Sequence, residues 1–303
     1  VPTKPIAEYL DFPRDILVDD KNGVRILTIR RPQAANALGW GTAAEILAEL
    51  KKGEADPEVK GFVITGYGKK AFCAGADIGG FVDAFDDKEA GIGLAKDNSE
   101  MLHYIDLMTK PVVAAVNGLA MGGGVETMLR CHSVVADKKA YFRLPEITLG
   151  ILPGMGGCII PYRKWPQAAE KFHEMIGKAR IMKADEAREI GIINHLVDGF
   201  TELIDMAMQE VERLQGHIPR ISDAPVDIPE FIVADQPTAM NGDPLSKEVL
   251  SVIADVINRG ARTEGLYNAL EINYERSGDT HCLEDSKEGV MAFLEKRKPN
   301  FRK

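Results

Sequence analysis

Two glutamates and a run of glycines are the residues of this sequence best suited to chemistry. Gly122, Gly123 and Gly124 stand together, Glu126 follows them, and Glu146 lies twenty residues further on in Leu-Pro-Glu-Ile. The glycines come after an apolar, β-type run from Pro111 to Val116 and an Asn117-Gly118 turn, and the spacing predicts a helix beginning near Val125. A strand feeding a glycine turn that opens a helix leaves backbone N–H groups without intrahelical acceptors. The helix dipole adds partial positive charge at the same place. Such a site holds negative charge, either a phosphate or an oxyanion formed during reaction. Two carboxylates beside it suit proton transfer next to a carbonyl. The residues also have a plainer reading. Glycines permit close strand–helix packing, and a glutamate in a first helical turn is favoured on electrostatic grounds alone.

A second segment, Lys60 to Asp77, reads KGFVITGYGKKAFCAGAD: an apolar strand, a glycine-rich turn, then small residues around Gly75 and Ala76 that let a ligand approach the backbone closely. Taken together the two segments resemble the crotonase, or enoyl-CoA hydratase/isomerase, superfamily. The resemblance extends from about Val24 to Val197 and resumes in KEGVMAFLEKRKPNF, Lys287 to Phe301; RRPQAANAL from Arg30, PEITLGILPGMGG and AxEAxxxGIINHLV from Ala184 are further matching pieces.

The resemblance implies a fold and a chemistry. The fold would be α/β, a crotonase-like spiral of ββα units with a C-terminal helical trimerisation region. The thioester carbonyl of an acyl-CoA would lie between the N–H groups of Ala76 and Gly123. Glu146 would act as the main acid/base at the α-carbon, and Glu126 would orient and activate water. The reaction implied is hydration of a 2-enoyl-CoA to the 3-hydroxyacyl-CoA. The alternatives are double-bond isomerisation, for which relatives commonly use one carboxylate here, and a non-catalytic acyl-CoA-binding homologue. Substrate and coenzyme A contacts are implied at Ala34, Ala35, Ala37, Ala74, Asp77, Ile78, Gly122, Pro145 and Gly154, and at Phe293 and Lys296 in the tail. No metal and no cofactor is expected, coenzyme A being part of the substrate, and a homotrimer or dimer of trimers is the assembly implied. Five residues depart from the family's usual pattern. Gly79 and Gly80 stand where a lysine is common, His132 where an aspartate is, Cys158 where a threonine is, and Arg143 precedes Leu-Pro-Glu.

The elements that must position these residues can be read in outline. Residues 1–15, with Pro2, Pro5 and Pro13, are expected to form an extended arm. Residues 16–198 would be the crotonase core and 199–303 a helical region. Val24–Ile29 and Phe62–Thr65 read as strands and Thr42–Lys52 as an amphipathic helix. Strand patterns recur at Val112–Val116 and Ser133–Ala136, which makes the core α/β. Phe81–Met108 reads as partly helical, with the charged, glycine-bearing stretch Asp86–Gly93 expected to be mobile. Further helices are expected at Gln167–Gly177, Lys183–Ile190, around Leu203–Leu214, around Val249–Val256, at Gly265–Tyr274 and at Glu284–Lys296. Five prolines between Gly216 and Pro244 exclude a continuous helix there; the segment reads as an ordered loop or insertion.

Composition narrows the class. The chain of 303 residues carries a net charge of -9, which argues against a general nucleic-acid binder. Its 45% hydrophobic and 27% charged content is ordinary for a globular protein. Four cysteines in no ligand or disulfide spacing read as reduced thiols. No apolar run is long enough for a membrane helix, and the N-terminal residues lack the apolar core of a secretory signal. The expected location is the cytoplasm. None of the six histidines pairs with a serine or cysteine in a nucleophile motif.

Overall fold

The computed structural model describes residues 15–301, so the arm expected over residues 1–15 lies, apart from Asp15, outside the described residues. Two sheets organise the rest. The larger contains β1 (Ile16–Lys21), β2 (Val24–Ile29), β3 (Gly61–Gly66), β5 (Val112–Val116), β7 (Ser133–Asp137) and β10 (His195–Val197), in that spatial order. Only the β1–β2 hairpin is antiparallel. The smaller contains β4 (Ala71–Cys73), β6 (Leu119–Met121), β8 (Tyr141–Arg143) and β9 (Met182–Lys183), parallel except at β8–β9. The pairs β3/β4, β5/β6 and β7/β8 each give one strand to each sheet before the chain turns helical. This is the expected spiral of ββα units.

Side-chain alternation explains why the larger sheet is buried on both faces. In β5, Val112, Ala114 and Val116 enter the main core, while Val113 and Ala115 point to a second cluster. That cluster is roofed by Leu203, Ile204, Ala207 and Val211 of the helix Phe200–Arg213. A fully buried aliphatic side chain contributes on the order of 1.5–3 kcal/mol, so a strand apolar on both faces is fixed between the two layers.

Several helix boundaries differ from expectation for identifiable reasons. The first helix, α1, spans Trp40–Ala55, and the next, α2, spans Lys88–Leu107. The stretch 86–93, expected to be a mobile loop, mostly forms the start of α2. Asp87 caps it by accepting from the Ala90 N–H at 3.0 Å. Gly91 serves packing rather than motion, since a Cβ there would lie 2.7 Å from His281 Nδ1. The helix expected to stop at Tyr274 runs from Leu266 to His281, because Gly278 lets it lie against α2; a Cβ at Gly278 would meet the Lys88 carbonyl oxygen at 2.5 Å.

Residues 216–244 form an ordered loop without helix, its one β-bridge pairing Thr238 with Pro244. Phe231 buries its ring against Gly177 and exchanges two hydrogen bonds with the Asn258 side chain, at 2.9 and 3.1 Å. The Arg163 guanidinium donates to the carbonyls of Asp223 and Ala224 in this loop, and to those of Gly260 and Thr263 beyond it. Ile253, Leu270 and Tyr274 share one apolar core with Ile64, Val116 and Phe142, so the C-terminal helices close the same core the spiral opens. Among the described residues no helix is long and apolar enough to cross a membrane.

Candidate active site

The third helix, α3, spans Gly123–Arg130 and so starts two residues before the expected Val125. Each glycine of the triplet has its own reason to be there. Gly122 takes φ 52°, and a Cβ on it would stand 2.9 Å from Glu146 Oε1. Gly124 passes the end of β4 so closely that a Cβ would lie 2.3 Å from the Cys73 carbonyl oxygen. Gly123 faces the second glycine loop: a Cβ on it would lie 3.3 Å from the Ala76 nitrogen, and one on Gly75 would lie 3.4 Å from the Gly123 nitrogen. The N–H groups of Ala76 and Gly123 therefore flank one small space. Among the described residues neither has an acceptor within the chain. Two unspent donors at a helix start form an oxyanion-type site.

Segment Arg31–Leu38 holds the Ala76 loop in place. Ala74 N–H donates to the Ala35 carbonyl at 3.1 Å, Leu38 N–H to the Gly75 carbonyl at 2.8 Å, and Asp77 N–H to the Leu38 carbonyl at 2.9 Å. The strand-like bridge Leu38–Ala76 fixes the register. Gly75, at φ 99°, turns the chain so that its own N–H reaches Cys73 Sγ.

The two glutamates are held differently. Glu126 Oε1 accepts from the N–H groups of Met155 and Gly157, at 2.8 and 2.7 Å. Glu146 opens a short 3-10 turn, Glu146–Leu149, and its Oε2 is buried without a hydrogen-bond partner. Burial raises the Glu126 pKa to about 7, against the pull of the two amides and of Arg130. Burial lifts that of Glu146 well above the ordinary carboxylate range, and the neighbouring Glu126 charge lifts it further. Two neighbouring buried acids resist ionising together.

Both glutamates and both amides line a single cavity of about 250 Å³. Ala74, Ile78, Gly122, Pro145, Gly154 and Phe293 line it too. Phe293 is half-exposed at the end of the last helix, Glu284–Leu294. The remaining expected residues lie elsewhere. Ala34, Ala35 and Ala37 are not part of the cavity wall; of the three, Ala35 braces the Ala76 loop by accepting from the Ala74 N–H. Asp77 turns away to cap the short helix Ile78–Ala84, accepting from the Gly79 N–H at 3.3 Å. Lys296 is exposed past the last helix and does not reach the cavity.

The structure adds residues that the sequence reading missed. Met155 and Gly157, in the GMGG loop, anchor Glu126 through their amides, a role that residue type alone does not signal. Phe81, Leu94, Asn98, Ser277 and His281 complete the cavity from helices distant in sequence. Of the departures from the family pattern, His132 accepts the Val112 N–H on Nδ1 at 2.9 Å, and burial lowers its pKa to about 4. Arg143 lines the cavity with its Nε tied to the Ala179 carbonyl at 2.8 Å. Ser133 and His195 both bond Glu210 but not each other, which is not a nucleophile–base pair.

Comparison with known proteins gives a consistent picture. The family described as enoyl-CoA hydratase/isomerase matches residues 19–227. The short-chain-enoyl-CoA hydratase of Clostridium acetobutylicum is 33% identical, covering 94% of this chain and 96% of its own. The crotonyl-CoA hydratase of Syntrophomonas wolfei is likewise 33% identical, covering 95% and 97%. The crystal structure of carnitinyl-CoA hydratase from Mycobacterium avium superposes with a TM-score of 0.67 at 29% identity, over 96% of this chain and 99% of that one.

Proposed function

The chain belongs to the enoyl-CoA hydratase/isomerase family, and from that premise we propose that it adds water across the double bond of a 2-enoyl-CoA to give the 3-hydroxyacyl-CoA. The thioester oxygen accepts hydrogen bonds from the Ala76 and Gly123 N–H groups. A water molecule lies between Glu126 and Glu146. Ionised Glu126 takes a proton from it, and the oxygen bonds to the β-carbon. The π electrons pass to the thioester oxygen as an enolate, which the two amides stabilise; one such donor lowers a barrier by about 3–4 kcal/mol. Protonated Glu146 then gives its proton to the α-carbon and the carbonyl re-forms. The substrate gains the elements of one water, and both acids are reset by proton exchange. As written, the reaction balances with water and residues of this chain alone.

The observation that carries this reading is the buried carboxylate pair beside two unspent amides in one cavity. Isomerisation needs a single carboxylate to carry a proton between carbons, so a second one held by two amides favours hydration. Adding the protein to crotonyl-CoA should abolish the ultraviolet absorbance of the conjugated thioester and yield a product heavier by one water. Conversion of a 3-enoyl-CoA without gain of mass would instead establish the isomerase. We further place the protein in β-oxidation-type acyl-CoA metabolism in the cytoplasm, where the free thiols Cys73, Cys131, Cys158 and Cys282 would stay reduced, and expect a trimer or dimer of trimers, which light scattering would measure.

A further inference from the structure

Building on the hydratase reading, we propose that the acyl cavity selects enoyl-CoA substrates whose acyl chain bears an uncharged hydroxyl group, held by His281 together with Ser277 and Asn98. Much of the acyl wall is apolar, with Leu94, Ala95, Ile151 and Leu152 facing the cavity. One side is not. Ser277 and His281, one turn apart on the helix Leu266–His281, line it together with Asn98 of α2.

His281 is 2% exposed and its ring is fixed on every side that matters. Phe81 stacks on it with ring centroids 5.3 Å apart. Its Nδ1 lies 2.8 Å from the Ser277 carbonyl oxygen, which can only accept, so Nδ1 carries the hydrogen. Burial lowers the affinity of the ring for a second proton, so Nε2 presents a bare lone pair. That Nε2 is buried with no partner. The Ser277 hydroxyl and the Asn98 amide have no partner either among the described residues. An unmet buried polar atom is costly, and a hydroxyl guest removes that cost by donating to Nε2 while accepting from Ser277 or Asn98. A carboxylate guest would set its own lone pairs against that of Nε2, and a hydrocarbon guest would leave all three groups unsatisfied.

The test is equilibrium titration with saturated acyl-CoA thioesters bearing a terminal hydroxyl, at increasing short chain lengths, each against the isostere ending in methyl. The hydroxyl compound should bind roughly tenfold tighter or more at one chain length at least, and His281→Phe should bring that ratio to about one. Asn98→Leu, at a half-buried position, should reduce the same ratio and covers the case in which His281→Phe does not fold. A ratio of one or less at every chain length overturns the proposal, as does a ratio that survives both substitutions. Saturated thioesters whose hydroxyl lies beyond the β-carbon cannot be dehydrated in reverse and bind without turnover, so a hydroxyl preference in a protein that hydrates nothing would sink the hydratase reading and leave this one standing.

Discussion

The eight residues of α3 end in two opposite ways. At the C-terminal end, Arg130 is paired with Asp106, its Nε lying 2.8 Å from Oδ1, and both side chains are almost wholly buried. Lys164 covers the Leu129 and Cys131 carbonyls at 2.7 and 3.3 Å and rests over the Trp165 ring. Arg130 Nη1 is left over, but the charge itself is matched. At the N-terminal end the Gly123 and Ala76 amides have no acceptor, and Glu146 Oε2 has no donor. Both ends are buried, so solvent does not explain the difference. One end is completed by the chain; the other is complete only when a second molecule arrives. Unmet polar demand, more than polarity, marks the place where chemistry happens.

That contrast can be broken most forcefully at the unfinished end. Glu146→Gln removes the acid while keeping the shape, and should lower kcat on crotonyl-CoA on the order of 10³-fold or more with acyl-CoA binding retained. Wild-type turnover in that variant would remove Glu146 from the mechanism. At the finished end, Arg130→Met strands Asp106 in a buried position and should cost about 3–5 kcal/mol of stability by denaturant titration. A loss under about 1 kcal/mol would mean that this end is no better completed than the other. Gly123→Ala inserts a methyl group 3.3 Å from the Ala76 nitrogen and 3.1 Å from Met155 Sδ. It should cut kcat about 100-fold by crowding the oxyanion, with a much smaller change in melting temperature.

The mildest expected effect is on pH. Glu126 must be ionised to accept a proton from water and Glu146 must keep its own, so kcat/KM should rise with pH through about 7 and fall again at the higher pH where Glu146 ionises. The stability sign is opposite. The native state keeps a proton that the unfolded chain releases near the ordinary pKa of 4.5, so the contribution of Glu126 is greatest below that value and declines as pH climbs to about 7. A rate flat across this window would show that Glu126 is not the base.

How much of this was legible in the sequence divides along the same line. Glycine positions and the acids beside them could be read because backbone approach and φ constrain residue type locally, as at Gly75 and Gly122. The spiral followed from strand patterns joined to the family resemblance; periodicity alone does not separate it from a doubly wound sheet. What could not be read depends on contacts between distant segments. The amides that steady Glu126 come from Met155 and Gly157, some thirty residues away. Ser277, His281 and Asn98 meet only because two helices pack together. By residue type Gly91 suggests motion, but His281 occupies the space a side chain would need there. That Gly124 must be glycine likewise follows only from the close passage of β4.

The Arg163 guanidinium draws together carbonyls from Asp223, Ala224, Gly260 and Thr263. Engineers wishing to transplant the stretch from 216 to 263 into a homologous scaffold would have to bring this arginine along. Without it, four carbonyls that it now ties together would lose their common donor, and the graft would loosen at its root rather than at its tip.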